Sequence, residues 1–256
     1  MFYNTLLLNA ISWAREAGAV QLHYFRGNNL DIRTKLNDSD IVTAADKASE
    51  RLLIGRILDA YPSHSILTEE SGDIRHGNEY RWVIDPLDGT TNFSAGLPGF
   101  AVSIGIEHHG ETIAGVVFAP YINELFHAVK GQGAFLNGSP VRHSAKTDIA
   151  GAVISTGYPV DKASGAEASN LDNIARVMPL VRGLRSLGAA SLDLCYIAAG
   201  FLDGYWETNL HLWDVSAAML ILKEAGAECS RFRSDRNISI VAGTPVIHDR
   251  LRQLVS

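Results

Sequence analysis

The chain has 256 residues, 46% apolar and 20% charged, enough for one large domain or two lobes sharing a core. Its net charge of −6 argues against a general nucleic-acid-binding surface. An anionic substrate stays open, because bound cations can invert the local sign of a site.

Leu7, Ile11, Ala14, Gly18, Leu22 and Phe25 recur at helical spacing, so the chain is predicted to begin with an amphipathic helix over about 4–26. Arg15 and Glu16 interrupt its apolar run, there is no basic lead, and no stretch reaches the roughly 18 apolar residues of a membrane span. A cytoplasmic chain without membrane contact is expected, and Asn-x-Ser sequons such as those at Asn92, Asn137 and Asn237 then carry no meaning. GNNLDIRTKLNDSD reads as a loop or hairpin, and a second helix runs from Thr43 to Ala60, stopped by Tyr61-Pro62. Two short strands follow, SILT (65–68) and RWVID (81–85), each ending in acids.

Phe100, Val102, Ile104 and Ile106 alternate into a turn at His108-His109-Gly110, and TIAGVVFA and NELFHAV continue a β-meander. GQGAFLNG reads as two turns around a strand. It is not a nucleotide loop, since no helix follows. In the last third, LDNIARVMPLV, SLDLCYIAAG and VSAAMLILKEAG read as helices, and AVIST, DGYWE and ISIVAG as strands. Thr244-Pro245 is an N-cap and N1 pair opening a final helix. The pattern is a single α/β domain over 1–256 with a soft division near 140–150, into lobes 1–145 and 146–256. Cys195 and Cys229 read as buried free thiols, with one disulfide as the alternative.

Acidic residues stand at strand ends and helix starts: Asp46, Glu69-Glu70, Asp85 with Asp88, and Asp214. Alone, DPLDG is an ordinary turn, the Glu pair a solvated turn, and Asp214 an N-cap. Gathered together, the six carboxylates would repel one another unless cations intervened. All-oxygen ligands suit hard ions, Mg²⁺ before Mn²⁺ or Ca²⁺. The histidines, His64, His108, His109, His143 and His211 among them, lie scattered and read as surface or satisfied side chains. In WVIDPLDGTTNF the buried strand aims Asp85, Pro86 stiffens the exit, and Asp88 can turn back beside Asp85. The Leu87 carbonyl is a further oxygen, Gly89 permits close approach, and Thr90-Thr91 can offer free amides to a phosphate. That set suits cation-assisted hydrolysis of a phosphate ester.

Asp46, Glu69-Glu70, Asp85-Pro-Leu-Asp88-Gly-Thr90 and Trp213-Asp214-Val-Ser-Ala-Ala, in this order, resemble the inositol monophosphatase family of lithium-sensitive, magnesium-dependent phosphatases, here of bacterial type. PSHSILTEES, KGQGAFLNG and KEAGA extend the resemblance over the whole chain. It implies a layered αβαβα sandwich, like that of fructose-1,6-bisphosphatase, and two to three Mg²⁺ ions per site. Glu69, Asp85 and the Leu87 carbonyl would hold the first ion, and Asp85, Asp88 and Asp214 the second. Glu69 would also help hold a third and orient the attacking water, which Thr90, hydrogen-bonded to Asp46, would position. Gly89 and Thr90 amides would receive the phosphate. Asp88, Ala189, Ala190 and Glu207 would meet substrate hydroxyls, Lys35 would lie on a closing loop, and Glu70 in the outer shell. A homodimer and lithium inhibition are implied too.

Thr-Asn-Phe after the DPLDGT motif and STGYP at 155–159 look like the inositol monophosphatase branch, favouring inositol-1-phosphate or another small polyol or sugar monophosphate. Fructose-1,6-bisphosphate, histidinol phosphate and nucleotides such as NADP or 3′-phosphoadenosine compounds stay as alternatives, as does a role in binding a protein partner. Two departures stand out. RFRSDRN replaces a longer glycine-containing turn and gathers Arg231, Arg233 and Arg236, read as a solvated basic turn or an extra anion contact. Trp206 stands where a smaller aromatic is usual, either narrowing the pocket or only packing.

Overall fold

The structure, a computed structural model, describes residues 2–27, 30–35, 41–77, 79–158, 170–235 and 237–256. Its largest sheet has eight strands in the order β10-β9-β8-β7-β6-β5-β3-β4. These are β3 (Ser65–Thr68), β4 (Gly72–Ile74), β5 (Tyr80–Asp88), β6 (Ala101–His108), β7 (Glu111–Ala119), β8 (Glu124–Val129), β9 (Ala134–Leu136) and β10 (Ser139–Val141). All neighbours are antiparallel except β3 and β5. A second sheet of five strands runs β12-β11-β13-β15-β14, from β11 (Val153–Thr156), β12 (Gly183–Arg185), β13 (Gly204–Leu210), β14 (Glu228–Arg233) and β15 (Ile238–Gly243). The segment read as a loop or hairpin contains β1 (Arg33–Thr34), which forms a small antiparallel ladder with β2 (Ile41–Val42) just after it.

Period-two alternation gives both sheets two apolar faces, and each face is covered. On one side of the large sheet, α1 (Phe2–Tyr24) and α2 (Ala44–Ala60) bury Leu6, Ala10, Leu53 and Ile57 against Ile84, Val102 and Ile104. Between the sheets, α5 (Ala190–Ala198) and α6 (Leu212–Glu224) pack Leu194, Val215 and Ile221 against Val117 and Phe126 on one side and Tyr205 and Ile240 on the other. Outside the small sheet, α4 (Leu171–Val177) and α7 (Pro245–Leu254) cover Ile154, Trp206 and Val241. The layers are therefore αβαβα, as expected.

Several expectations need correction. β5 does not stop at Asp85 but continues through Pro86 to Asp88. The helix read over LDNIARVMPLV ends at Val177 and passes into one 3₁₀ turn at Met178–Leu180. RFRSDRN is not a turn throughout, since Arg231 and Arg233 belong to β14. Arg236 lies outside the described residues. Trp206 is fully buried on the α4/α7 side of its sheet and donates Nε1–H to Asn170 Oδ1 at 2.6 Å, so it packs. Both cysteines are free thiols, Cys195 buried and Cys229 half-buried.

Candidate active site

The site begins with a defect in the large sheet. In a regular strand, residues three apart face opposite sides. Asp85 pairs with Ser103 and Asp88 with Ala101, so three steps on β5 oppose two on β6. This β-bulge restores a common direction for the two carboxylates. Both are buried, and Leu87, between them, is inaccessible. Asp85 Oδ1 accepts the Leu87 amide at 2.9 Å, and Gln21 of α1 donates Nε2–H to the Pro86 carbonyl at 2.7 Å.

Helix N-termini hold three of the acids. Asp46 is the N3 residue of α2, where its Oδ2 accepts the amide (2.9 Å) and hydroxyl (2.5 Å) of the N-cap Thr43. Asp214 is likewise N3 of α6 and accepts the His211 amide at 2.7 Å. It is thus not the N-cap read from sequence, a position that His211 holds. Asp88 belongs to no helix, but its Oδ2 accepts the Ser191 amide (2.8 Å) and hydroxyl (2.5 Å) at the start of α5. Ser191 was missed in the sequence, where it looked like one more small residue in GAASLDL.

The glutamates sit on the turn after β3. Glu50 of α2, buried, binds that turn from below: its Oε1 accepts the Thr68 hydroxyl and the Glu70 and Ser71 amides at 2.8–3.1 Å, and its Oε2 the Ser71 hydroxyl at 2.7 Å. Above, Lys35 Nζ donates to Glu69 Oε1 at 2.8 Å and also to Glu70 Oε1. Burial lowers the Lys35 ammonium pKa, but the two carboxylates outweigh it and hold it above its ordinary value.

The electrostatics show that these acids share one space. Asp85 is raised well above the carboxylate range, first by burial and then by Glu69, Asp88 and Asp214. Asp214 is raised by burial, then by Asp88, with Glu69 and Glu207 adding to the effect. Asp88 is raised to about 6 by burial against the pull of the Ser191 donors, and Asp46 to about 6, chiefly by burial. Glu70 rises to about 7, by burial and despite Lys35. An all-oxygen donor set whose members destabilise one another in the charged form fits hard divalent cations.

Beside the acids, Gly89 adopts φ +88° as the N-cap of the five-residue helix α3 (Thr90–Ser94) and supplies no capping side chain. A Cβ there would lie 2.6 Å from the Gly99 carbonyl and 3.2 Å from Ala189 Cβ, so only glycine fits, and the turn abuts the start of α5. Asn92 Nδ2 fastens the two segments, donating to the Gly99 and Leu187 carbonyls at 2.7 and 2.6 Å. The Thr90 hydroxyl lies 3.0 Å from both Asp46 Oδ1 and the Leu87 carbonyl. Glu207, half-buried on β13, accepts the Tyr205 hydroxyl and is raised to about 8 by burial, with Asp193 and Asp88 adding to it. Gly157 is pressed against its carboxyl group, where a Cβ would lie 2.1 Å away.

Arg231 and Arg233 do not join this cluster; they line a cavity whose walls include none of its carboxylates. The histidines are less scattered than their positions suggest. Glu79, His108 and His109 bring one potential ligand atom each within 4.8 Å of the others, as do Glu228, His248 and Asp249. The first group forms because Glu79 immediately precedes β5, whose first residue pairs with His108.

A family model described as the inositol monophosphatase family matches residues 3–256. The chain is 44% identical over 225 residues to a Pasteurella multocida protein named Nus factor SuhB, covering 87% of this chain and 84% of that protein. It is 39% identical over 249 residues to an inositol-1-monophosphatase of Rhizobium meliloti, covering 95% and 90%. Among solved structures it superposes on the extragenic suppressor protein suhB of Bartonella henselae with a TM-score of 0.91 and 36% identity, over 98% of each chain. For the inositol monophosphatase of Anabaena the TM-score is 0.88, at 36% identity over 99% and 96%. The chain belongs to the inositol monophosphatase family and is a phosphoric monoester hydrolase.

Proposed function

We propose that the chain hydrolyses a small polyol or sugar monophosphate, inositol-1-phosphate first, in a Mg²⁺-dependent reaction. The observation that carries this reading is the mutual destabilisation of Asp85, Asp88 and Asp214, with Glu69 contributing, beside the uncapped turn at Gly89. Asp85, Asp88, Asp214, Glu69 and the Leu87 carbonyl are the residues that would hold two to three ions. Bound there, Mg²⁺ would neutralise the acids, lower the pKa of water and offset charge on the phosphate.

The chain's own groups do the positioning. Thr90 gives its hydroxyl proton to Asp46 Oδ1 or the Leu87 carbonyl, which leaves its oxygen free to accept a hydrogen bond from the attacking water. Glu69 flanks the same water, and Asp46 is the acceptor behind Thr90. The Gly89 and Thr90 amides receive phosphate oxygens. Glu207, protonated near neutral pH, both donates and accepts hydrogen bonds with sugar or inositol hydroxyls, with Asp88 and the Ala189-Ala190 backbone alongside. In this reading residues 1–145 form the cation and phosphate lobe and 146–256 the substrate lobe. Support comes from the sheets, the larger built before residue 142 and the smaller after residue 152. The free thiols support a reducing, cytoplasmic setting. The homodimer and lithium inhibition rest on the family resemblance; sedimentation tests the first and an assay with LiCl the second.

Phosphate release is measured from inositol-1-phosphate, fructose-1,6-bisphosphate, histidinol phosphate, NADP⁺ and adenosine 3′,5′-bisphosphate, with Mg²⁺ or EDTA. The expected result is Mg²⁺-dependent turnover with a kcat/KM for inositol-1-phosphate about 10²-fold above the rest. Preference for another compound overturns the substrate, and turnover undiminished in EDTA overturns the cation. A second reading, a binding role toward a protein partner, is favoured by the name Nus factor carried by relatives at 40–44% identity. A pulldown with wild-type and Asp214→Asn protein tests it; absence of any stoichiometric partner counts against it.

A further inference from the structure

Four arginines surround one cavity in a chain that is acidic as a whole. The cavity, of about 760 Å³, lies between α4, the β14–β15 hairpin and the last turn of α7. Arg176, Arg231, Arg233 and Arg252 line it, against Asp172 and Asp235. Arg233 is paired with Asp235 at 2.7 Å, and Arg176 reaches the Ser256 hydroxyl at 2.7 Å. Arg231 and Arg252 are exposed, and their guanidinium groups meet no carboxylate among the described residues. Arg231 and Arg252 thus present two guanidinium groups, without carboxylate partners among the described residues, to a shared space. Guanidinium forks suit phosphate oxygens, and the volume falls in the range of small-ligand sites.

The cavity wall also connects to the substrate side. Asn170, buried, donates Nδ2–H to the Thr156 hydroxyl and the Gly157 carbonyl, each at 2.8 Å, while accepting from Trp206. Gly157 is the residue pressed against Glu207. Thr208, the next residue after Glu207, lines the cavity and buries a hydroxyl without a partner among the described residues. Such a buried hydroxyl is costly unless something satisfies it.

We propose that this cavity is a second anion site, outside the catalytic cluster, for a small ligand bearing a diphosphate or polyphosphate group. The proposal does not rest on the phosphatase reading, and its test needs no turnover. Inorganic pyrophosphate is titrated calorimetrically into the full chain in EDTA, where the carboxylate cluster, without cations, repels anions. The expected result is one site per chain, weakened about ten-fold or more in Arg231→Gln/Arg252→Gln and by added KCl, and unchanged in Asp85→Asn. Both arginines are exposed, so the double variant keeps the fold. No binding by the wild type, equal binding by the double variant, or loss of binding in Asp85→Asn each overturns the proposal.

Discussion

The two halves of the acidic cluster are held by different means. Asp46, Asp88 and Asp214 hang from the first amides of α2, α5 and α6, and Asp85 from the bulge of β5. Glu69 and Glu70 stand on a turn that Glu50 grips from below and Lys35 closes from above. The aspartates are fixed by backbone that cannot move without unravelling a helix or a central strand. The glutamates are fixed by side chains, one of which is itself a cation occupying carboxylate oxygens. If the cluster holds cations as proposed, the aspartate half is preorganised for them, while the glutamate half must exchange an ammonium for them.

The largest effect should come from the aspartate half. Asp85→Asn should lower kcat/KM by about 10³-fold, the scale of losing a main electrostatic group. The same change should raise the melting temperature in EDTA, because Asp85 faces three other acids and keeps only one amide donor. Activity lost together with stability lost would mean that Asp85 serves packing instead. Ser191→Ala, which removes a hydroxyl from Asp88 but leaves the amide, should cost about 10–100-fold in activity. An unchanged rate would show that the α5 amide holds Asp88 unaided. Lys35→Gln tests the glutamate half and should be milder. With the competing ammonium gone, Mg²⁺ should bind a few-fold tighter by calorimetry. Weaker binding would show that Lys35 builds the turn more than it blocks it.

Much of this was legible in sequence because the signals were local. Helical spacing gave α1 to within two residues at either end, and the acids appeared at strand ends and helix starts, where chemistry collects. What escaped was set by tertiary contact. The β5 bulge exists only relative to β6, so DPLD read as a strand exit. Glu50 carries no local mark in the helix 43–60, because its partners, Thr68, Glu70 and Ser71, reach it only when β3 and its turn pack over α2. Asp214 fits an N-cap pattern, yet His211 took that place and moved the aspartate to N3. Arg231 and Arg233 looked like turn residues because β14 is an edge strand whose polar residues show no clean alternation.

The smallest predicted effect concerns Asp193, a residue that neither half uses. It is buried in α5, its Oδ1 has no partner among the described residues, and its carboxyl is pushed up to about 8 by burial, with Asp88 adding to it and a Ser155 hydrogen bond opposing. A carboxyl raised in the folded state binds its proton more tightly there than in the unfolded chain. Its contribution to stability is therefore full below the ordinary carboxylate value of 3.8 and is lost as pH rises through about 8. One such group contributes a slope of at most about 1.4 kcal/mol per pH unit. In EDTA, melting temperatures of the wild type should fall between pH 5 and 8.5, and those of Asp193→Asn should fall less steeply, by a few degrees across the range. Well below pH 3.8 the two curves should run parallel, since Asp193 is then protonated in the folded and unfolded chain alike. Equal slopes throughout would mean that Asp193 is charged and solvated in the folded protein, and that the acidic cluster reaches less far toward the small sheet than its burial implies.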